Sequence, residues 1–123
     1  MDDVKFKTIY GESRNGANDM IRHPLVKTFI MSDGVADCAE AGIWWLVDIA
    51  ATELPAVMKK CNESMLVLTA DVKKGVARLS ATGAGDVQCW KRRIDYTDMP
   101  DGKWNFYIAD EGDHRVMILP TEY

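Results

Sequence analysis

Two periodicities meet in this chain, and their order limits the fold more than any single motif. From Ser32 to about Thr52 apolar residues recur at helical spacing, whereas from Met65 onward they alternate with a period of two. The first run predicts one long helix. Ser32 suits its N-cap, and Asp33 and Asp37 place negative charge where the helix dipole favours it. Pro55 does not suit a helix interior, so a separate short helix is expected from Leu54 to about Cys61.

The second run reads as strands at MLVLTADV (65–72), VARLSAT (76–82), VQCWKRRIDY (87–96), KWNFYIAD (103–110) and RVMILP (115–120), separated by turn-forming residues. Neighbouring strands joined by hairpin links favour an antiparallel meander. The expected architecture is a single α+β domain over 1–123. One long helix and a short second helix pack on an antiparallel β-meander of about five strands. The first 24 residues are expected to be partly irregular. They hold an alternating edge strand over Val4–Tyr10 and a turn-rich GESRNGAND segment with Asn15-Gly16 at its centre, and a short strand is expected over Leu25–Met31 after Pro24.

Composition narrows the function classes. At 123 residues the chain suits one two-layer core. A net charge of −4 argues against a non-specific nucleic-acid binder. No run approaches the roughly 18 consecutive apolar residues that predict a membrane span. The acidic, alternating N-terminus lacks the pattern of a signal peptide. Three widely spaced cysteines, Cys38, Cys61 and Cys89, fit reduced thiols, so a cytoplasmic protein is expected.

On a helical wheel Val35, Cys38, Ala39, Gly42, Ile43, Leu46, Ile49 and Ala50 fill one broad arc, with Trp45 and Val47 at its edges. Asp33, Asp37, Glu40, Trp44, Asp48 and Thr52 form the narrow opposite stripe. That stripe reads either as a solvated acidic face or as a partner-binding patch of Trp44 framed by Glu40 and Asp48. Glu40 and Asp48 lie about 12 Å apart along the helix, too far for a cooperating carboxylate pair. No catalytic residue is assigned.

Neither His23 nor His114 has metal-ligand spacing to a second ligand, so no metal site and no cofactor are expected. Alternation places Trp90, Arg92 and Ile94 on one face of their strand. Cys89, Lys91 and Arg93 then share the other, where the cations could lower the thiol pKa. The glycines of TGAGD fall in a hairpin turn rather than between a strand and a helix, which is not a phosphate cradle.

Several motifs together carry a family likeness. They are RHPLVK (22–27), SDGV (32–35), AEAGIWWLVDIA (39–50), IDYTDMP (94–100), WNFYIA (104–109) and ILPTEY (118–123). In these the chain resembles a family of small proteins of unknown function from bacteria, plasmids and phages, over about a hundred residues. Ser32 stands where that family typically has threonine, and Met99 where an aromatic is usual. The resemblance transfers no catalytic residue. It implies an accessory protein of mobile elements that acts on a host component, such as a defence system.

Three functional readings follow. The first is a non-enzymatic protein that binds a protein partner and self-associates through Glu40, Trp44 and Asp48. The second is a binder of a phosphorylated metabolite or signalling nucleotide, which needs Arg78, Lys91 and Arg93 to converge, with His114 as a further candidate. The third is a small enzyme using Cys89 or a histidine.

Overall fold

The computed structural model describes residues 1–12 and 19–123. Its elements are α1 (Asp3–Gly11), β1 (Met20–Arg22), β2 (Phe29–Ser32), α2 (Asp33–Cys38), α3 (Trp44–Cys61), β3 (Met65–Lys73), β4 (Val76–Thr82), β5 (Gln88–Ile94), β6 (Gly102–Asp110) and β7 (Arg115–Ile118). The expected Asn15-Gly16 turn lies outside the described residues.

The N-terminal segment is a helix, not an edge strand. Asp2 caps α1, its carboxylate accepting from the Lys5 N–H. The helical turn stacks Phe6 and Tyr10 on one face, four residues apart, where both meet the edge of Trp104. Burying two aromatics together outweighs the weak alternation that suggested a strand.

The long helical run is broken once, but not where the proline suggested. Ser32 caps α2 as expected, accepting from the Val35 N–H at 3.1 Å. A π-helical turn follows over Ala39–Ile43, with Gly42 at φ 136°, a backbone conformation that side chains rarely adopt. α3 then continues through Pro55 to Cys61 as one helix, so no separate helix begins at Leu54. The phase shift at Gly42 turns that residue to the surface, off the buried arc where the wheel placed it. Most of the arc holds: Val35, Cys38, Ala39, Ile43, Leu46 and Ala50 are fully buried, whereas Ile49 is only partly buried. By length and composition the stretch Asp33–Cys61 could cross a membrane, but here its apolar side is packed on the sheet, with Leu46, Leu54 and Met58 in the core.

All five expected strands form, within a seven-stranded mixed sheet of order β1-β2-β7-β6-β3-β4-β5. The arrangement is not a meander. β6 pairs with β3 rather than with β5, and β2 lies parallel to β7. After β5 the chain doubles back across the β3–β4 turn, where the Thr97 N–H donates to the Gly75 carbonyl at 2.8 Å. This return lets the apolar β3 and β6 sit centrally, burying Leu66, Leu68, Phe106 and Ile108, and leaves the charged β5 at an edge. The strand expected over Leu25–Met31 starts only at Phe29, because His23–Thr28 makes a turn back from β1.

The C-terminal residues fold back onto the sheet. Ser32 donates to Glu122 Oε1 at 2.5 Å, and the Leu119 N–H donates to the same oxygen at 2.9 Å. Tyr123 meets the edge of Tyr107. Helices cover one face of the β3–β5 half of the sheet, leaving the other face open for a site.

Candidate functional site

That open face is assembled by register. Residues directly opposite in adjacent strands share a face, about 5 Å apart, and residues two apart in one strand follow at about 6.7 Å. One row across the sheet therefore reads Lys103–Asp71–Arg78–Arg93, and the next reads Asn105–Thr69–Ser80–Lys91. Both rows point away from the helices, since Ala70 and Leu79 between them are buried.

The Lys91-Arg92-Arg93 cluster is split as alternation predicts. Arg92 turns to the helix side and pairs with Glu53 of α3. Lys91 and Arg93 join Arg78, and all three line a cavity of about 610 Å³ together with Lys103, Asp71, Thr69 and Ser80. Arg78 and Arg93 are directly opposite one another, an arrangement that like charges disfavour. Arg93 has a partner in Asp95, at 2.9 Å. Among the described residues Arg78, Lys91 and Lys103 form no ion pair. The convergence of Arg78, Lys91 and Arg93 therefore exists, while His114 stands elsewhere. It lies before β7 with Asp113 at 2.6 Å, beside a smaller hollow lined by Arg22 and Lys27.

Sequence reasoning missed Lys103 and Asp71. Alternation alone sets Lys103 opposite in sense to Trp104 and Phe106, but only the β3–β6 pairing carries it to this cavity.

Cys89 is not among the cations. The register between β4 and β5 shifts at Ala81/Thr82, pairing Ala81 with Trp90 and Thr82 with Gln88, so Cys89 is the extra, bulged residue. It packs on the core side instead. There a hydrogen bond with Cys61, and then burial, raise its thiol pKa, the reverse of the shift expected from a basic neighbourhood.

The structure also gathers Glu40, Trp44 and Asp48, with His23 as their centre. Trp44 is half-buried; its indole N–H donates to Glu40 at 3.2 Å and its ring meets the edge of His23. His23 is buried. Its Nδ1 accepts from the Leu25 and Val26 N–H groups, which leaves Nε2 to donate to Asp48 at 2.8 Å. This histidine, which the sequence offered only as a candidate enzyme residue, fastens the β1–β2 turn to α3. The turn N–H groups two and three positions after it were the signal, since a short acceptor at that position closes such a turn.

The motifs that carry the likeness thus meet in space. RHPLVK supplies His23 to the Asp48 of AEAGIWWLVDIA, and SDGV supplies Ser32 to the Glu122 of ILPTEY. A family model matches residues 12–123. The chain belongs to this family of unknown function, DUF6876. The match begins after α1, although α1 puts Phe6 into the same core. No curated protein and no solved structure matches the chain. Among the described residues no group of three or more His, Cys, Asp and Glu side chains is placed to hold a metal ion.

Proposed function

We propose that this DUF6876 protein binds a small phosphorylated ligand on the open face of its sheet. The observation that carries this reading is the directly opposed Arg78–Arg93 pair, with Lys91 two residues along β5 on the same face and, among the described residues, no ion pair on Arg78 or Lys91. Two directly opposed guanidiniums, of which only Arg93 has an acidic ion-pair partner (Asp95) among the described residues, offer the forked donors that phosphate oxygens accept. A cavity of about 610 Å³ lies in the range that holds small molecules. No aromatic side chain lines it, so it lacks the stacking platform of a single-stranded nucleic-acid groove.

The test is calorimetric titration with inorganic pyrophosphate at low salt. Binding that weakens at least tenfold in Arg78→Gln and in Arg93→Gln, and is unchanged in Arg22→Gln, is the expected result. No binding to the unmodified protein, or equal binding by all variants, overturns the reading.

A second reading, association with another copy, is favoured by a separate observation. A hollow of about 570 Å³ runs between α3 and the free edge of β5, lined by Trp45, Ile49 and Ile94, with Asp48 and the exposed Tyr96 at its rim. Light scattering at rising concentration checks it: a dimer that Tyr96→Ser and Asp48→Lys dissociate supports self-association, and a monomer throughout dismisses it.

A further inference from the structure

We infer that the ligand is a phosphorylated polyol, a sugar phosphate or a nucleotide, and that Asp71 selects it by accepting its hydroxyl groups. This rests on the anion-binding reading above and names what that site distinguishes.

Among the described residues Asp71 is the one acidic side chain lining the cavity, and its place is specific. In register it stands between Lys103 on one side and Arg78 on the other, about 5 Å from each at the backbone. It nevertheless forms no ion pair among the described residues and is exposed. For a site that takes bare phosphate, this carboxylate is a penalty. It repels the anion and offers no donor, since an ionised carboxylate only accepts. Its chemistry suits a ligand whose anionic end lies on Arg78, Arg93 and Lys91 while a neutral, donor-bearing part extends towards β6. Vicinal hydroxyls are such donors, and a carboxylate accepts two of them at once, as acidic residues do for a ribose.

The neighbouring row fits the same ligand. Thr69 Oγ1 donates to Asn105 Oδ1 at 2.7 Å, which fixes the Asn105 amide and leaves its NH₂ group as a donor. Ser80 adds a hydroxyl between Thr69 and Lys91. The site therefore grades from cationic on β4 and β5 to neutral and acidic on β3, across roughly two strand spacings, about 10 Å. That span matches a phosphate ester with a sugar ring attached.

The experiment compares inorganic phosphate, ribose 5-phosphate and adenosine 5′-monophosphate by calorimetric titration against the full chain and its Asp71→Asn variant. Ribose 5-phosphate is expected to bind the unmodified protein at least tenfold more tightly than phosphate. In Asp71→Asn that preference should fall below threefold, with phosphate affinity unchanged or raised. Tighter binding of the nucleotide than of ribose 5-phosphate assigns the ligand to the nucleotides, and equal or weaker binding to the sugar phosphates. Equal affinity for phosphate and ribose 5-phosphate, or a preference that survives Asp71→Asn, overturns this inference while leaving anion binding intact. Failure of the unmodified protein to bind any of the three overturns both. Asp71→Asn is close to isosteric at an exposed position, and circular dichroism verifies that the variant is folded.

Discussion

Two side chains illustrate how much of this protein rests on single polar contacts. His23 accepts two backbone N–H groups and donates to Asp48, so its removal strands both turn donors next to the core. His23→Ala is expected to lower unfolding free energy by about 1–3 kcal/mol, measured by urea denaturation. His23→Asn should lose less, because its Oδ1 can replace Nδ1 in the turn. Tyr10 sits half-buried against Trp104, and its hydroxyl accepts from the Asn105 N–H at 2.8 Å. Burial raises its pKa above the ordinary value of 10.0. The folded state therefore holds this proton more tightly than the unfolded chain does. The resulting stability is complete below the unfolded value and is lost as pH rises through the folded one. An alkaline loss of stability beginning near pH 10, much reduced in Tyr10→Phe, is the expected outcome of denaturation across that range.

Elements here are also joined by close approach of backbone to side chain. The start of α2 lies so near the folded-back C-terminal residues that a Cβ on Gly34 would stand 2.6 Å from Glu122 Oε2 and 2.9 Å from Leu119 Cδ1. Glu122 is held by Ser32 and has no room to retreat. Gly34→Ala is therefore expected to cost about 1–3 kcal/mol through overpacking, and to release the last residues to carboxypeptidase, which should trim the variant faster than the unmodified chain. The same proximity makes SDGV and ILPTEY the two sides of one contact. Gly42 acts differently. Its positive φ resets the helix phase between α2 and α3, so Trp44 lands over His23 while Leu46, Ala50 and Leu54 still face the sheet.

For the molecule as a whole, the sheet has two unlike faces, one packed on the helices and one carrying Arg78, Lys91, Arg93 and Lys103, of which only Arg93 has an ion-pair partner among the described residues. Their proximity has a cost in the absence of ligand, since Arg78 and Arg93 are directly opposed. Arg93→Gln should raise the stability of the free protein by roughly 0.2–1 kcal/mol, read as a higher urea midpoint, while reducing the stabilisation by pyrophosphate that the proposed binding predicts for the unmodified chain.

Much of this was legible from the residues. The period change at Met65 marked where helix gives way to strand, Ser32 marked a helix start, and alternation in β5 divided Arg92 from Lys91 and Arg93. These are local regularities, set by 3.6- and 2-residue periods and by capping chemistry, and the sequence by itself determined them. It could not determine which strands pair. Hairpin proximity argued for β5 beside β6, but the buried area gained by centring the apolar β3 and β6 decided otherwise, and with it the arrival of Lys103 and Asp71 beside Arg78. Nor could alternation survive the bulge that carried Cys89 to Cys61. The cations of the site were therefore readable one strand at a time. Their assembly into a single surface was a tertiary outcome, because register between strands distant in sequence is fixed by packing and not by any one strand's pattern.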